Sequence, residues 1–536
     1  MPERHTLRGQ PGSQGAGVGT AVRVDAVAER TEVDPASVRR ALEEVADDLE
    51  ASSRRASGEL SQILAADAAI ARDPMLVDAV ERHLADDPST VGVHDAFDEV
   101  AGVLRSVGGA IAERAADLGA IERRLIARLR GTQGPMLEGK VVVANELGPA
   151  DLLAIEHERP AALLLAGASP TAHVAILARA LGIPALTGVV GLDGVHDGDT
   201  VLVDTVRAVA IVNPNDDDVT GLRAAERTPA RTTLPRDRAA IGAVAIMANV
   251  AGVADAQGAI DAGAVGIGLL RTEFLFLDRD EAPSRAEQAE AYTEILTPFR
   301  GRRCIVRTLD AGADKPLAFI DLPRSANPAL GVRGWRARAV APAVIDTQIA
   351  AIADAQRATG AEVGLMAPMV TTIDEAREVV ERAHAAGIPS AGVMVEVPAL
   401  CLLGDELARS VDFVSIGTND LAQYLFAADR EESAVAALAD PFSPPLARLL
   451  ARLVDDVDGR IPIGVCGELA ADPLAAVWLA GLGITSLSMT PSAIAPVTRL
   501  LASVERTTAR RAAEAVRTAS DAQRARDAAA RIVGLA

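Results

Sequence analysis

The sequence predicts an α/β protein with a (β/α)₈ barrel in its C-terminal half and a smaller α/β domain, interrupted by a helical bundle, in its N-terminal half. Eight short apolar segments follow residue 240 and are mostly separated by helical segments, as expected for a barrel. Between residues 34 and 129 apolar side chains recur every three or four positions, which is typical of amphipathic helices. A chain of 536 residues with 49% hydrophobic composition is long enough for two or three domains.

The N-terminal half is predicted to contain one α/β domain built from two separate stretches of chain. A Gly-rich start is followed by a roughly alternating pattern with Val18, Ala21, Val22 and Val24, which predicts a strand entering a sheet. Strands are predicted again at residues 141–144, 161–165 and 200–203. We therefore assign residues 1–25 and 135–215 to this domain and residues 26–134 to the inserted bundle.

The C-terminal half, residues 239–536, is predicted to be the barrel, with an Arg- and Ala-rich helical tail from Glu505. A charged stretch at residues 216–238 is expected to be a helical linker. The eight predicted strands are residues 243–248, 265–270, 304–307, 363–366, 391–395, 413–416, 461–465 and 485–488. An open doubly wound sheet is the alternative, but no Gly-x-Gly-x-x-Gly turn follows the first strand.

Composition restricts the classes of function. A net charge of −21 argues against a general nucleic-acid binder and allows a basic protein partner. The three cysteines, Cys304, Cys401 and Cys466, are far apart and lack zinc-ligand spacing, so neither a disulfide framework nor a structural metal site is expected. No apolar stretch suits a signal peptide or a membrane span, so we expect a cytoplasmic protein without membrane insertion.

Charged side chains follow the predicted barrel strands, at the end where barrel enzymes place their chemistry. The positions are Arg271, Arg307, Glu396, Asn419, Asp420 and Cys466, with Arg333, Arg430 and Lys315 in nearby loops. Arginines beside carboxylates suit a small polyanion bridged by a divalent cation. Glu396 and Asp420 could instead be the general acid and base of a glycosidase. This alternative is less favoured, because the arginines would keep both carboxylates ionised. An ion pair of Arg271 with Glu273 is the purely structural alternative.

A second candidate site is His173, in a segment with helix-start and helix-stop signals. Ser169 suits the N-cap, Pro170 the first helical position, and Gly182 the position after the end. His173 is then in the first turn, where backbone N–H groups and the helix dipole would favour a phosphoryl group on the imidazole. The simpler alternative is an ordinary polar residue in a first turn.

These two segments resemble motifs of the phosphoenolpyruvate-utilising enzymes, which carry a Thr-Ser-His helix and a Gly-Leu-Leu-Arg-Thr-Glu-Phe strand in one chain. The corresponding residues are Thr171-Ala172-His173 and Gly268-Leu269-Leu270-Arg271-Thr272-Glu273-Phe274. The resemblance covers nearly the whole chain and is closest to the phosphoenolpyruvate–protein phosphotransferases, the enzyme I family of the bacterial phosphotransferase system.

The resemblance implies a role for each matching position. His173 would be the phosphohistidine, and Glu396 and Asp420 would bind Mg²⁺. The positions that would grip phosphoenolpyruvate are Arg271, Arg307, Arg333, Lys315, Asn419 and Arg430. Cys466 would be the proton donor to the enolate, although the sequence alone favours a small buried apolar residue at this position.

The same resemblance implies that the phosphoryl group passes from phosphoenolpyruvate through His173 to the phosphocarrier protein HPr, releasing pyruvate, as the first step of sugar uptake. HPr would dock on the helical bundle, and the barrel would form a homodimer.

The pattern departs from the family at Ala172, which replaces Ser, and at Arg336, which competes with Arg333 for the same role. Related dikinases and synthases need an ATP-grasp domain before the histidine, and the predicted bundle leaves no room for one. A non-catalytic scaffold is the alternative from another class.

Overall fold

The computed structural model describes residues 4–13, 15–24, 30–54, 59–107, 115–129, 137–145, 147, 155, 158–166, 174, 178, 182–216, 218–220, 244–277, 279–312, 317–323, 325, 327–429, 435 and 437–535. It divides into two units, residues 1–228 and 229–536, and each is described by itself. The described residues contain no helix that is long and apolar enough to cross a membrane.

The first unit contains an eight-stranded mixed sheet in the order β1-β8-β7-β3-β4-β5-β6-β2. The strands are β1 (His5–Arg8), β2 (Gln10–Ser13), β3 (Ala16–Arg23), β4 (Lys140–Ala144), β5 (Ala162–Leu165), β6 (Ala185–Thr187), β7 (Thr200–Asp204) and β8 (Val209–Val212). Strands β3 to β6 are parallel neighbours, and the others pair antiparallel. Apolar residues cover both faces of β4: Val141 belongs to one buried cluster and Val142 to another. This is the period-2 alternation of a strand with both faces buried.

Four of these strands, β1, β2, β6 and β8, were not predicted. Each has only three or four residues, and a segment this short cannot be assigned from periodicity alone. Strand β2 also contains Pro11, and it lies at an edge of the sheet, where a missing N–H donor is tolerated. Such strands depend on pairing with distant residues rather than on local preference.

The same unit contains a bundle of helices. Its helices are α1 (Pro35–Ser53), α2 (Glu59–Ala71), α3 (Pro74–Asp86), α4 (Thr90–Val107) and α5 (Ala115–Leu129). Helix α1 begins with Asp34 as N-cap, whose carboxylate accepts a hydrogen bond from Ser37 N, and with Pro35 in the first turn. Buried side chains such as Leu42, Leu49 and Ile121 form one apolar core between the helices.

The second unit contains a closed barrel of eight parallel strands, which confirms the predicted fold class. The strands are β9 (Ala245–Val250), β10 (Ile267–Leu270), β11 (Arg303–Arg307), β12 (Glu362–Ala367), β13 (Ser390–Val395), β14 (Phe413–Ile416), β15 (Ile463–Val465) and β16 (Ser486–Met489). Every predicted barrel strand is present, with ends that differ by at most two residues. Six side chains pack together as a buried cluster of strand residues: Leu269, Ile305, Met366, Met394, Phe413 and Cys466.

Helices separate the strands and continue into the tail. They are α6 (Val253–Asp261), α7 (Arg285–Leu296), α8 (Pro342–Thr359), α9 (Ile373–Ala385), α10 (Pro398–Cys401), α11 (Gly404–Ala408), α12 (Thr418–Phe426), α13 (Pro444–Val457), α14 (Pro473–Leu482), α15 (Pro491–Ser503), α16 (Arg506–Thr518) and α17 (Ala522–Val533). The predicted tail helix is therefore two helices, α16 and α17. Helix α16 packs against α14 so closely that a Cβ on Gly481 would be 2.1 Å from the carbonyl oxygen of Ala509.

Replacing Gly481 by Ala is expected to lower the melting temperature of the barrel unit. Ala favours a helix over Gly by about 1 kcal/mol, but overpacking costs about 1–3 kcal/mol when neither backbone can move. Both tryptophans, Trp335 and Trp478, belong to the barrel unit, so their fluorescence reports its unfolding. The control is Gly258→Ala in helix α6, where the nearest atom would be 3.8 Å away and the melting temperature should stay level or rise. Equal shifts in the two variants would contradict the close approach.

Candidate functional site at the barrel mouth

The carboxyl ends of the barrel strands bring together arginines and carboxylates that are far apart in the sequence. Arg271 follows β10, Arg307 ends β11, and Glu396 follows β13. Asp420 lies in the first turn of α12, after β14, and Cys466 follows β15. The expected gathering of these residues at one rim follows directly from the parallel closed sheet.

Arg307 is held by two carboxylates. Its Nη2 lies 3.0 Å from Glu273 Oε1, and its Nη1 lies 3.2 Å from Asp310 Oδ2. Burial opposes the positive charge, but the attraction of Glu273 and Asp310 outweighs it and raises the pKa of Arg307. The alternative of an ion pair between Arg271 and Glu273 is wrong, because the Glu273 carboxylate pairs with Arg307.

Arg333 shares the carboxylate of Asp310. Its Nη2 donates to Asp310 Oδ2 at 3.0 Å and to Asp420 Oδ2 at 3.3 Å. Burial is again outweighed by Asp310 and Asp420, which raise the pKa of Arg333. The competing candidate, Arg336, donates instead to Thr371 Oγ1 and to Gly331 O, so its guanidinium does not join this cluster.

Asp310 is therefore a member of the site that the sequence analysis did not single out. Its side chain is only 5% exposed and bridges Arg307 and Arg333. A signal was present in the sequence, because Asp310 stands three residues beyond the end of β11, where barrel enzymes place functional side chains. The backbone N–H of Asp310 also donates to Glu273 Oε1 at 3.0 Å, which ties the loop after β11 to the loop after β10.

Arg271 differs from the other two arginines because no carboxylate among the described residues forms an ion pair with it. Arg271 is exposed to solvent. The surrounding protein atoms and the positive charge of Arg307 together lower the pKa of Arg271. A guanidinium in this setting would gain from an anionic ligand.

Glu396 and Asp420 are two carboxylates in one buried region. Glu396 is 1% exposed, and burial together with the charges of Asp420 and Asp310 raises its pKa to about 8. The expectation that the arginines would keep both carboxylates ionised is therefore not met at Glu396. Its Oε1 accepts a hydrogen bond of 2.6 Å from the backbone N–H of Met369, a residue with a left-handed φ of 60°. A non-glycine residue held at positive φ is strained, and such positions cluster at functional sites.

This donor set fits a divalent cation that is shared with a ligand. Glu396 and Asp420 offer hard oxygen donors, and a cation would relieve the repulsion that raises the pKa of Glu396. The part of the chain that the structure describes contains no cluster of three or more His, Cys, Asp or Glu side chains suited to a metal. The remaining ligands of Mg²⁺ would therefore be ligand oxygens and water, as is usual for this ion.

Cys466 lies in the buried strand cluster with Ile305 and Met394, so its side chain is both a packing residue and a neighbour of the mouth. Its thiol is 3.5 Å from the carbonyl oxygen of Ile416, and burial raises its pKa to about 11. The thiol is thus protonated at neutral pH. Asn249, which was not predicted, fixes the backbone here by donating to the carbonyl oxygen of Cys466 at 3.1 Å.

Asn419 acts on the same loop, since its Oδ1 accepts a hydrogen bond of 3.0 Å from Glu468 N. Gly467 lies between, and a Cβ there would come within 1.9 Å of Thr418 Oγ1. Only glycine allows the loops after β14 and β15 to approach this closely. Three predicted site residues, His173, Lys315 and Arg430, lie outside the described residues.

The arginines and carboxylates at the barrel mouth suit a small polyanion, and comparison with known proteins shows which class of enzyme the chain belongs to. Three family models match the chain: the N-terminal domain of PEP-utilising enzymes at residues 8–114, their mobile domain at 136–208, and their PEP-binding domain at 226–506. The chain is 40% identical to a phosphoenolpyruvate-protein phosphotransferase of Streptomyces coelicolor, over 98% of both chains. It is 37% identical to one of Haloferax volcanii, over 87% of this chain and 86% of that one. The chain therefore belongs to the PEP-utilising enzymes and, within them, to the phosphoenolpyruvate–protein phosphotransferases.

Replacing Asp310 by Asn is expected to lower the free energy of unfolding of the barrel unit by about 3 kcal/mol, because it leaves two buried guanidinium groups under-compensated. Urea unfolding followed by tryptophan fluorescence measures the change. The matched control is Asp354→Asn. This carboxylate also lies between two arginines, Arg285 and Arg357, but its side chain is 31% exposed against 5% for Asp310, so the change should stay below about 1 kcal/mol. If the two variants lose equal stability, the shared carboxylate of Asp310 is not a major stabilising contact.

Proposed function

We propose that the chain transfers the phosphoryl group of phosphoenolpyruvate to His173 and then to the phosphocarrier protein HPr, with release of pyruvate. The observation that carries the proposal is the cluster of Arg271, Arg307 and Arg333 beside Glu396 and Asp420 at one barrel mouth. The match of residues 136–208 to the mobile domain of PEP-utilising enzymes supports it, because this segment contains His173. A cytoplasmic location, expected above, belongs to the same proposal.

Binding would begin with the arginines. Phosphoenolpyruvate carries a phosphate and a carboxylate, and guanidinium groups bind both kinds of anion bidentately. Arg271 is open to the ligand, whereas Arg307 and Arg333 are held in place by Glu273 and Asp310 before any ligand arrives. Lys315, Asn419 and Arg430 complete the proposed ligand contacts on the basis of the family motifs.

A divalent cation fits this proposal for an electrostatic reason. Among the described residues, the three arginines of the cluster face the carboxylates of Glu273, Asp310 and Asp420, together with Glu396, whose raised pKa disfavours its charged form. Their charges nearly cancel, so the protein alone offers little net attraction to a polyanion. Mg²⁺ held by Glu396 and Asp420 would supply positive charge next to the phosphoryl oxygens.

Phosphoryl transfer would need an unprotonated His173 imidazole in line with the breaking bond. The nitrogen–phosphorus bond forms as the phosphorus–oxygen bond to the enolate breaks, and the arginines stabilise charge on the equatorial oxygens. The enolate then takes a proton at its terminal carbon to give pyruvate. Cys466 would donate that proton, since its thiol is protonated at neutral pH, and solvent would restore it.

The remaining parts of the proposal concern partners. His173 belongs to the first unit and the arginines to the second, so the histidine must approach the barrel mouth for one step and the acceptor for the next. We place the HPr contact on the helical bundle, residues 26–134, and expect a homodimer formed through the barrel. The net charge of −21 favours a basic acceptor.

The first test is to incubate the chain with labelled phosphoenolpyruvate and Mg²⁺ and then to add HPr. Acid-labile label should appear on the protein, and it should pass to HPr. His173→Ala should abolish the label, because it removes the only nitrogen nucleophile in the proposal. His196→Ala is the control, since His196 lies in the same domain match and is exposed. Label that does not depend on His173 would move the acceptor elsewhere, and absence of label in the wild type would favour the scaffold.

Replacing Cys466 by Ala is expected to slow pyruvate formation by about 100-fold or more, as is usual when a general acid is removed. The rate of pyruvate release under steady turnover with HPr measures the effect. Cys304→Ala is the control, because Cys304 is equally buried but belongs to the main apolar core of the barrel unit. Similar rates for the two variants would show that Cys466 only fills space.

A further inference from the structure

The barrel unit also contains a hydrogen-bonded network of buried polar side chains that the proposed mechanism does not use. Its members are Thr272, Gln288, Tyr292 and Gln348, and each is at most 1% exposed. Gln288 and Tyr292 belong to helix α7, and Gln348 belongs to helix α8. Thr272 immediately follows Arg271.

Gln348 is the centre of this network. Its Nε2 donates to Thr272 Oγ1 at 3.0 Å and to Tyr292 OH at 3.0 Å. Its Oε1 accepts from the backbone N–H of Leu309 at 2.8 Å. One amide group therefore bonds to the loop after β10, through Thr272, and to the loop after β11, through Leu309.

Thr272 closes the connection between the two loops. Its hydroxyl accepts from Gln348 and donates to the carbonyl oxygen of Arg307 at 3.0 Å. Each arginine thus has a backbone neighbour in the same network: Arg271 beside Thr272, and Arg307 through its own carbonyl. These directional hydrogen bonds support the spacing between Arg271, just after β10, and Arg307, at the end of β11.

The side chains at the other end of the network also have hydrogen-bond partners. Tyr292 OH donates to Gln288 Oε1 at 3.4 Å, and Gln288 Nε2 donates to Pro283 O at 2.9 Å. Packing alone would be served by apolar side chains, because burying a polar group gains little even when it is bonded. A satisfied buried network instead fixes a unique arrangement of the groups it joins.

We propose that Gln348 is a positioning residue, which holds the loops of Arg271 and Arg307 at the separation that a phosphorylated carboxylate ligand requires. This role rests on the proposed function of those two arginines. A site aligned before binding saves the entropy of ordering it afterwards, and small displacements of aligned groups reduce rates strongly.

The test compares Gln348→Met with Gln288→Met. Both replace a buried glutamine in the same network by an unbranched side chain of similar length, but Gln288 bonds to neither arginine loop. For Gln348→Met we expect kcat/KM for phosphoenolpyruvate to fall by about 10- to 100-fold. For Gln288→Met we expect a change of less than about threefold.

A second measurement separates positioning from misfolding. Transfer of label from phosphorylated HPr back to His173 does not involve the barrel mouth in this proposal, so Gln348→Met should leave it unchanged. Thr272→Val, which removes the bridging hydroxyl with little change in volume, should reproduce the loss in kcat/KM. Equal losses in both transfer directions, or equal losses for Gln348→Met and Gln288→Met, would overturn the positioning role.

A third measurement does not depend on activity. Hydrogen exchange at Leu309 and in the peptides after β10 and β11 should accelerate in Gln348→Met and not in Gln288→Met, because the Leu309 N–H loses its acceptor. If the wild type never accepts label from phosphoenolpyruvate, the proposed function is rejected. Faster exchange in Gln348→Met would still support the coupling of the two loops through Gln348. Unchanged exchange in both loops would reject the coupling itself.

Discussion

Closure of the barrel through the pairing of β9 with β16 is the constraint on which the rest of the second unit depends. Ala245 pairs with Ser486 and Ala248 with Met489, so the first and last strands complete a ring without a free edge. Because all eight strands are parallel, their carboxyl ends form one rim. Side chains that follow different strands then meet at short distances without any need for sequence proximity.

That rim concentrates charge, and the protein compensates it internally. Asp310 bridges Arg307 and Arg333, and Glu273 holds Arg307 from the other side. The buried guanidinium groups are thereby kept ionised and fixed, which an isolated arginine in such a place would not be. Arg271, outside these pairs, is the arginine best placed to respond to an incoming anion.

The two carboxylates near the proposed metal position, Glu396 and Asp420, differ from the arginines because they repel each other. Glu396 is buried against the charge of Asp420, and this raises its pKa to about 8. Such an arrangement is unfavourable by itself, and a cation held by these carboxylates would stabilise it. The strained backbone at Met369, which donates to Glu396, is a further cost borne at this point of the mouth.

The sequence by itself determined the barrel, because eight apolar segments between helical ones have few other solutions, and it located the charged residues that end the strands. It also pointed to the family through the segments around His173 and Arg271. It did not determine which carboxylate meets which arginine: Glu273 pairs with Arg307 rather than with its neighbour Arg271, and Asp310 joins two arginines. These pairings depend on the register of adjacent strands and on loop backbone geometry, which sequence spacing does not encode. The same reason explains why Gln348, indistinguishable from Gln288 as a buried helix residue, acquires its connection to both arginine loops only in the folded chain.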